Sequence, residues 1–94
     1  MTVTYSEEAI ADIVEAIAFL QERRPSAAAQ LDAEITRCLA RLAGAEFDGP
    51  LSQLRSGARV RSWPVPPFRI YYQRLPDELL VLRVYHQTRR PLTR

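Results

Sequence analysis

Apolar residues recur at spacings of three and four through the first half of this 94-residue chain and at a spacing of two through most of the second half. A helical period cannot line one face of a strand, nor a strand period one face of a helix, so this change predicts helices through most of the first half and strands through most of the second. Ile10, Ile13, Val14, Ile17 and Leu20 predict a helix of about four turns, with Glu8, Asp12, Glu15 and Glu22 on its opposite face. Ser6 is placed to cap it, and Glu7 and Glu8 put negative charge at the positive end of its dipole. Arg23, Arg24 and Pro25 interrupt the pattern. A second helix is expected from Pro25 to Ala43, with Leu31, Ile35, Cys38, Leu39 and Leu42 as its stripe and Gly44 as its C′ residue. So short a link predicts an antiparallel helical hairpin.

Thr2 to Tyr5 alternate in polarity with β-branched and aromatic residues, which predicts a short strand ahead of the first helix. Residues 45 to 57 show no sustained period and read as a connecting loop, tacked down by Phe47, Leu51 and Leu54. Strands are expected at 58 to 63, 68 to 75 and 79 to 86, with turns at 64 to 67 and 75 to 78. The predicted order is β-α-α-β-β-β. The fold class is α+β: a helical hairpin packed on a mainly antiparallel four-stranded sheet, forming a single domain over 1–94.

All 13 basic residues are arginine, and their distribution is uneven. Residues 1 to 50 carry a net −5 and residues 51 to 94 a net +7. Strand alternation sorts the second half by face. Ala58, Val60 and Ser62, then Phe68, Ile70 and Tyr72, then Leu80, Leu82 and Val84 are assigned to the core. The open face then presents Arg59, Arg61, Arg69 and Arg83 interleaved with Trp63, Tyr71 and Tyr85; Leu79 and Val81 also point outward, and Arg89, Arg90 and Arg94 follow in the tail. A solvated sheet face accounts for some of this polarity. Same-sign crowding points instead to an acidic partner, since arginine with aromatics can grip nucleic-acid phosphates and bases or a carboxylate-rich protein.

Several classes are excluded. No apolar run reaches the ~20 residues that span a bilayer, and the N-terminus lacks the layout of a secretory signal, so a cytoplasmic protein without membrane contact is expected. One cysteine and one histidine cannot complete a structural zinc site, and no phosphate-cradling glycine loop or nucleophile motif occurs, so neither metal nor cofactor is expected. Cys38 reads as a small core residue and His86 as a hydrogen-bonded strand-end residue.

Pro25-x-x-Ala28, Gly57-x-Arg59-Val60-Arg61, Pro67-Phe68-Arg69-Ile70-Tyr71-Tyr72 and Val81-Leu82-Arg83-Val84-Tyr85-His86-x-x-Arg89 occur in this order. Together with the element order, they resemble the RelE/ParE superfamily of type II toxin-antitoxin toxins over essentially the whole chain, with the wording closest to ParE, often labelled plasmid-stabilisation proteins. Two activities follow from the resemblance. ParE-like members inhibit DNA gyrase. RelE-like members act on the ribosome and cleave mRNA, with a basic constellation that Arg59, Arg61, Arg69 and Arg89 match here, and with Tyr85 and His86 as the nearest proton-transfer candidates.

Arginine can hold phosphate but stays protonated, and the chain has no lysine, so gyrase inhibition ranks first and no catalytic residue is expected. mRNA cleavage and a non-toxic, antitoxin-binding co-repressor are the alternatives. The resemblance also implies a cognate antitoxin with a DNA-binding N-terminal dimer and an acidic C-terminal segment. Operator DNA would be bound only through that antitoxin, in a heterotetramer or larger complex. Arg59, Arg61, Trp63, Arg69, Tyr71, Arg83, Tyr85, Arg89 and Arg90 are the expected contacts to target or antitoxin.

Overall fold

The computed structural model describes residues 1–88 and Leu92. Its elements are β1 (Thr2–Tyr5), α1 (Glu7–Arg23), α2 (Pro25–Ala43), β2 (Leu51–Gln53), β3 (Arg59–Val65), β4 (Phe68–Arg74) and β5 (Glu78–His86). The strands form one sheet in the order β1-β5-β4-β3-β2. β1 runs parallel to β5 and the other pairs are antiparallel. The α+β arrangement is as expected, but with five strands rather than four. The additional strand, β2, lies in the segment read as a loop. Three residues cannot display a period; what makes them a strand is pairing with β3, Leu51 opposite Arg61 and Gln53 opposite Arg59.

Ser6 caps α1 as its sequence position suggests, accepting from the Ala9 N–H at 3.0 Å while its hydroxyl donates to Leu82 O at 2.8 Å. Pro25 occupies the first turn of α2, where its missing N–H costs nothing. At the other end Gly44 is the C-cap with φ −77°, and the left-handed position expected there falls to Ala45, φ 58°. α2 buries Ala28, Leu31, Ile35, Leu39 and Leu42, essentially the expected stripe.

α1 is turned away from its expected orientation. Ala9, Ile13, Ala16 and Leu20 meet the core, while Ile10 and Val14 are 51% and 61% exposed. The cause is Asp12, assigned above to the outer face, which reaches β5 and sets the rotation of the helix.

Two apolar clusters sandwich the sheet. The larger, under the helices, gathers Leu31, Ile35, Leu39, Leu42, Val65, Ile70, Tyr72, Leu79, Val81 and Val84. Each fully buried Leu, Ile or Val contributes about 1.5–3 kcal/mol. The smaller lies on the far face and joins Leu54, Val60, Tyr71 and Tyr85, with Leu82 and Leu92 against it. The face expected to be open is therefore partly apolar and covered.

β4 follows the expected alternation, but β3 and most of β5 do not. β3 continues through Pro64 to the buried Val65, so Trp63 and Val65 turn toward the helices and Val60 to the far side. Trp63 stacks on Phe47 with ring centroids 4.4 Å apart, a larger apolar contact than Val60 could make there. In β5, Tyr71 pairs with Arg83 but Tyr72 with Val81, leaving Leu82 without an opposite residue. Such a bulge shifts the alternation by one. Ahead of it Leu79 and Val81 enter the main core, whereas Leu80 is not among its residues and Leu82 packs on the far side, the reverse of expectation. Beyond it Val84 and Tyr85 fall as predicted.

Candidate functional site

Of the four expected arginines among the described residues, Arg61, Arg69 and Arg83 already have side-chain partners within the chain. Arg83 donates from Nε and Nη2 to the Asp12 carboxylate at 2.8 and 3.0 Å, and the Val84 N–H donates to the same group at 3.0 Å. β1 ends at Tyr5, opposite Val81, so the Asp12 carboxylate caps the β5 edge where its strand neighbour stops. The side chains are only 10% and 18% exposed, so removing either partner strands a poorly hydrated charge. Hydrogen bonding to Asp12 raises the pKa of Arg83.

Asp48 organises a second network in the loop after α2. Its carboxylate accepts from the Tyr72 hydroxyl, from Arg74 Nη2 and Nε at 3.2 and 3.3 Å, and lies 3.2 Å from Arg61 Nε. Arg61 also donates to Gly49 O at 2.8 Å, Arg74 to Leu42 O at 2.9 Å, and the Gly49 N–H to the Tyr72 oxygen at 2.8 Å. Burial pushes the Asp48 carboxyl up, but hydrogen bonds from Arg74 and Tyr72 and the charges of Arg74 and Arg61 outweigh it and hold its pKa below the ordinary value. Tyr72 is pushed up to about 12, first by burial and then by its bond to Asp48.

On the far face Arg69 donates to Ser62 Oγ at 2.9 Å. Beside it Tyr71 and Tyr85 meet edge to face at 5.6 Å, and the Arg83 guanidinium lies over the Tyr85 ring at 4.6 Å. Both tyrosines are buried, so they are supports of the face rather than free contacts. His86 turns to the other side, with its ring edge against Phe68. Its Nδ1 contacts Thr88 Oγ1 at 2.8 Å and accepts from the Thr88 N–H at 3.2 Å. His86 also lines an apolar groove of about 310 Å³ with Phe19, Leu20, Phe68 and Val84, and Glu15 stands at its wall.

The expected site residues therefore separate into groups. Arg69, Tyr71 and Tyr85 share the far face; Arg61 and Trp63 lie on the helix side; Arg83 bridges from β5 to α1; and Arg59 is exposed on β3. Arg89 and Arg90 lie outside the described residues, as does Arg94. Asp12, Asp48 and Tyr72 decide how the cations are neutralised, and none was among the expected site residues. Their one local signal is the scarcity of acids that could serve nine arginines in the second half. Cys38 is half-buried, and burial pushes its thiol pKa up, as suits an unreactive core side chain. Among the described residues no cluster of His, Cys, Asp and Glu could hold a metal ion, and no helix is long and apolar enough to cross a membrane.

Residues 3–91 match the family model described as ParE toxin of type II toxin-antitoxin system, parDE. No curated protein matches the chain. Among solved structures it resembles one described as the chromosomal ParDE TA system from P. aeruginosa, with a TM-score of 0.72 and 19% identity. That likeness, which spans 92% of this chain and 95% of the other, is one of fold.

Proposed function

Because the chain belongs to the ParE toxin family of type II toxin-antitoxin systems, we propose that it inhibits DNA gyrase and is neutralised by a cognate antitoxin. The observation that carries this reading, over mRNA cleavage, is that among the described residues no accessible proton-transfer candidate meets the phosphate-holding cations: Tyr85 pairs with Arg69 but is buried, and His86 turns to the face opposite Arg69 and stands apart from Arg61. Cleaving a phosphodiester requires both around one phosphate. His86 pairs with Phe68 at one end of the β4–β5 ladder, whereas Arg61 pairs with Tyr72 toward the other. At 3.2–3.4 Å per residue, the four-residue separation of Phe68 and Tyr72 along β4 puts these levels roughly 13 Å apart. Tyr85 and His86, the other possible pair, project from opposite faces of β5. Stoichiometric inhibition of a protein target needs no such convergence.

The antitoxin is read as a DNA-binding N-terminal dimer with an acidic C-terminal segment, bound in a heterotetramer or larger complex that meets operator DNA through the antitoxin. Exposed Ile10, Val14 and Phe19 on α1 offer apolar anchors, and the arginine-rich half offers charge. Arg59, Arg69, Arg89 and Arg90 are the proposed contacts to target or antitoxin, and the cytoplasm is the proposed site of action.

The test is a supercoiling assay with purified gyrase beside a translation assay mapped for cuts in mRNA. Inhibited supercoiling with intact message is expected, together with filamentation and an SOS response on induction in cells. Intact supercoiling at stoichiometric protein would overturn the proposal. In that case cuts at the ribosomal A site would establish the RNA-cleaving alternative, and harmless induction without the antitoxin would establish the co-repressor.

A further inference from the structure

Arg59, Arg61 and Arg74 line one surface pocket of about 390 Å³ against a single acid, Asp48. Three guanidinium groups facing one carboxylate leave two positive charges in excess. Asp48 is already saturated by Tyr72, Arg61 and Arg74. The Arg59 side chain is exposed and makes no hydrogen bond or ion pair among the described residues. A cation held next to two others without an acid of its own is a site for an anion from outside the chain.

The pocket also adjoins an open sheet edge. β2 is the last strand of the sheet, and beyond it no strand follows among the described residues. Ser62 N–H donates to Pro50 O and Leu54 N–H to Ala58 O, so the even-numbered residues of this strand carry the ladder to β3. By the alternation of an antiparallel pair, the N–H and C=O groups of Leu51 and Gln53 point outward. These two residues sit opposite Arg61 and Arg59, and exposed Leu51 forms an apolar wall of the same pocket.

We propose that the β2 edge and the Arg59–Arg61–Arg74 pocket together bind an extended acidic peptide, which adds as a strand beside Leu51–Gln53 and places a carboxylate among the arginines. A strand added at about 4.8 Å from β2 has every second side chain on the arginine-bearing face, within the combined reach of a glutamate and an arginine. The edge selects a polypeptide over a nucleic acid, because it presents donors and acceptors in alternation and a phosphate backbone supplies acceptors only. In a toxin-antitoxin pair the acidic antitoxin segment has this chemistry. To that extent the source of the peptide rests on the proposed function, and gyrase is left out of the test so that the two fail separately.

The test titrates the ¹⁵N-labelled full chain with a short synthetic peptide of alternating valine and glutamate, and with its glutamine counterpart, followed by amide chemical shifts. The expected result is movement of the Leu51 and Gln53 amides, with affinity about tenfold weaker for the glutamine peptide. Arg59→Gln, at an exposed side chain without partners, is expected to remove most of that difference. Gln53→Pro, which deletes an outward N–H and spares the β3 ladder, is expected to weaken both peptides while the remaining spectrum stays folded. Absence of shifts at β2 at millimolar peptide, equal affinity for the two peptides, or tighter binding of a single-stranded oligonucleotide at the same amides would each overturn the proposal.

Discussion

Asp48 ties the loop after α2 to β3 and β4 through Arg61, Arg74 and the Tyr72 hydroxyl. Its folded-state pKa is lowered, so its contribution to stability is present above the ordinary carboxylate pKa and disappears as pH falls through the folded value. The side chain is 34% exposed, which screens the pairs and puts the cost of Asp48→Asn near neutral pH at about 1–2 kcal/mol. Urea midpoints of the two proteins should therefore differ most above the ordinary carboxylate range and converge as pH falls below it. A difference that does not change with pH would show that Asp48 acts through shape rather than charge. None of this is legible locally, because Tyr72 lies 24 positions and Arg74 26 positions along the chain.

β2 exists because the chain before it can approach β3 very closely. A Cβ on Gly49 would lie 1.8 Å from the Ser62 carbonyl oxygen, a backbone atom that cannot swing aside. Gly49→Ala is expected to cost about 3 kcal/mol, by displacing the loop and loosening β2 from β3. Gly57→Ala is the control: with φ +90° and nothing within 4 Å, it meets backbone strain alone and should cost about 1 kcal/mol. Equal urea midpoints for the two variants would rule out the close approach as the determinant. The sequence disclosed this region only as a turn-rich gap. By contrast α2 was readable end to end, from Pro25 at its start to Gly44 at its cap, since its stripe runs five turns without competition from tertiary contacts. α1 was legible as a helix and not as an orientation: its sequence holds two overlapping apolar sets, and Asp12 selects the one that faces inward.

At the scale of the molecule, the uneven charge resolves into separate fates for the arginines. Arg61 and Arg74 serve Asp48, Arg83 serves Asp12, Arg69 remains on the far face beside Ser62, and Arg59 stays free for the anion pocket. Arg69 is thus the described far-face arginine best placed to meet a target. If the chain acts on gyrase as proposed, Arg69→Ala is expected to lower that inhibition about tenfold while unfolding stability stays within about 0.5 kcal/mol of wild type. Unchanged inhibition would exclude the far face as the contact surface.

Element order apart from β2, the identity of both helices and the concentration of arginine in the second half follow from sequence, because period, capping residues and composition are local properties. Which face each strand turns to the helices was decided by the tertiary structure. A period of two has two equivalent phases, and the unpaired Leu82 exchanges one for the other within β5. Which arginines remain available was decided there as well: the acid that neutralises Arg83 lies 71 residues away, and only folding brings the two charges together.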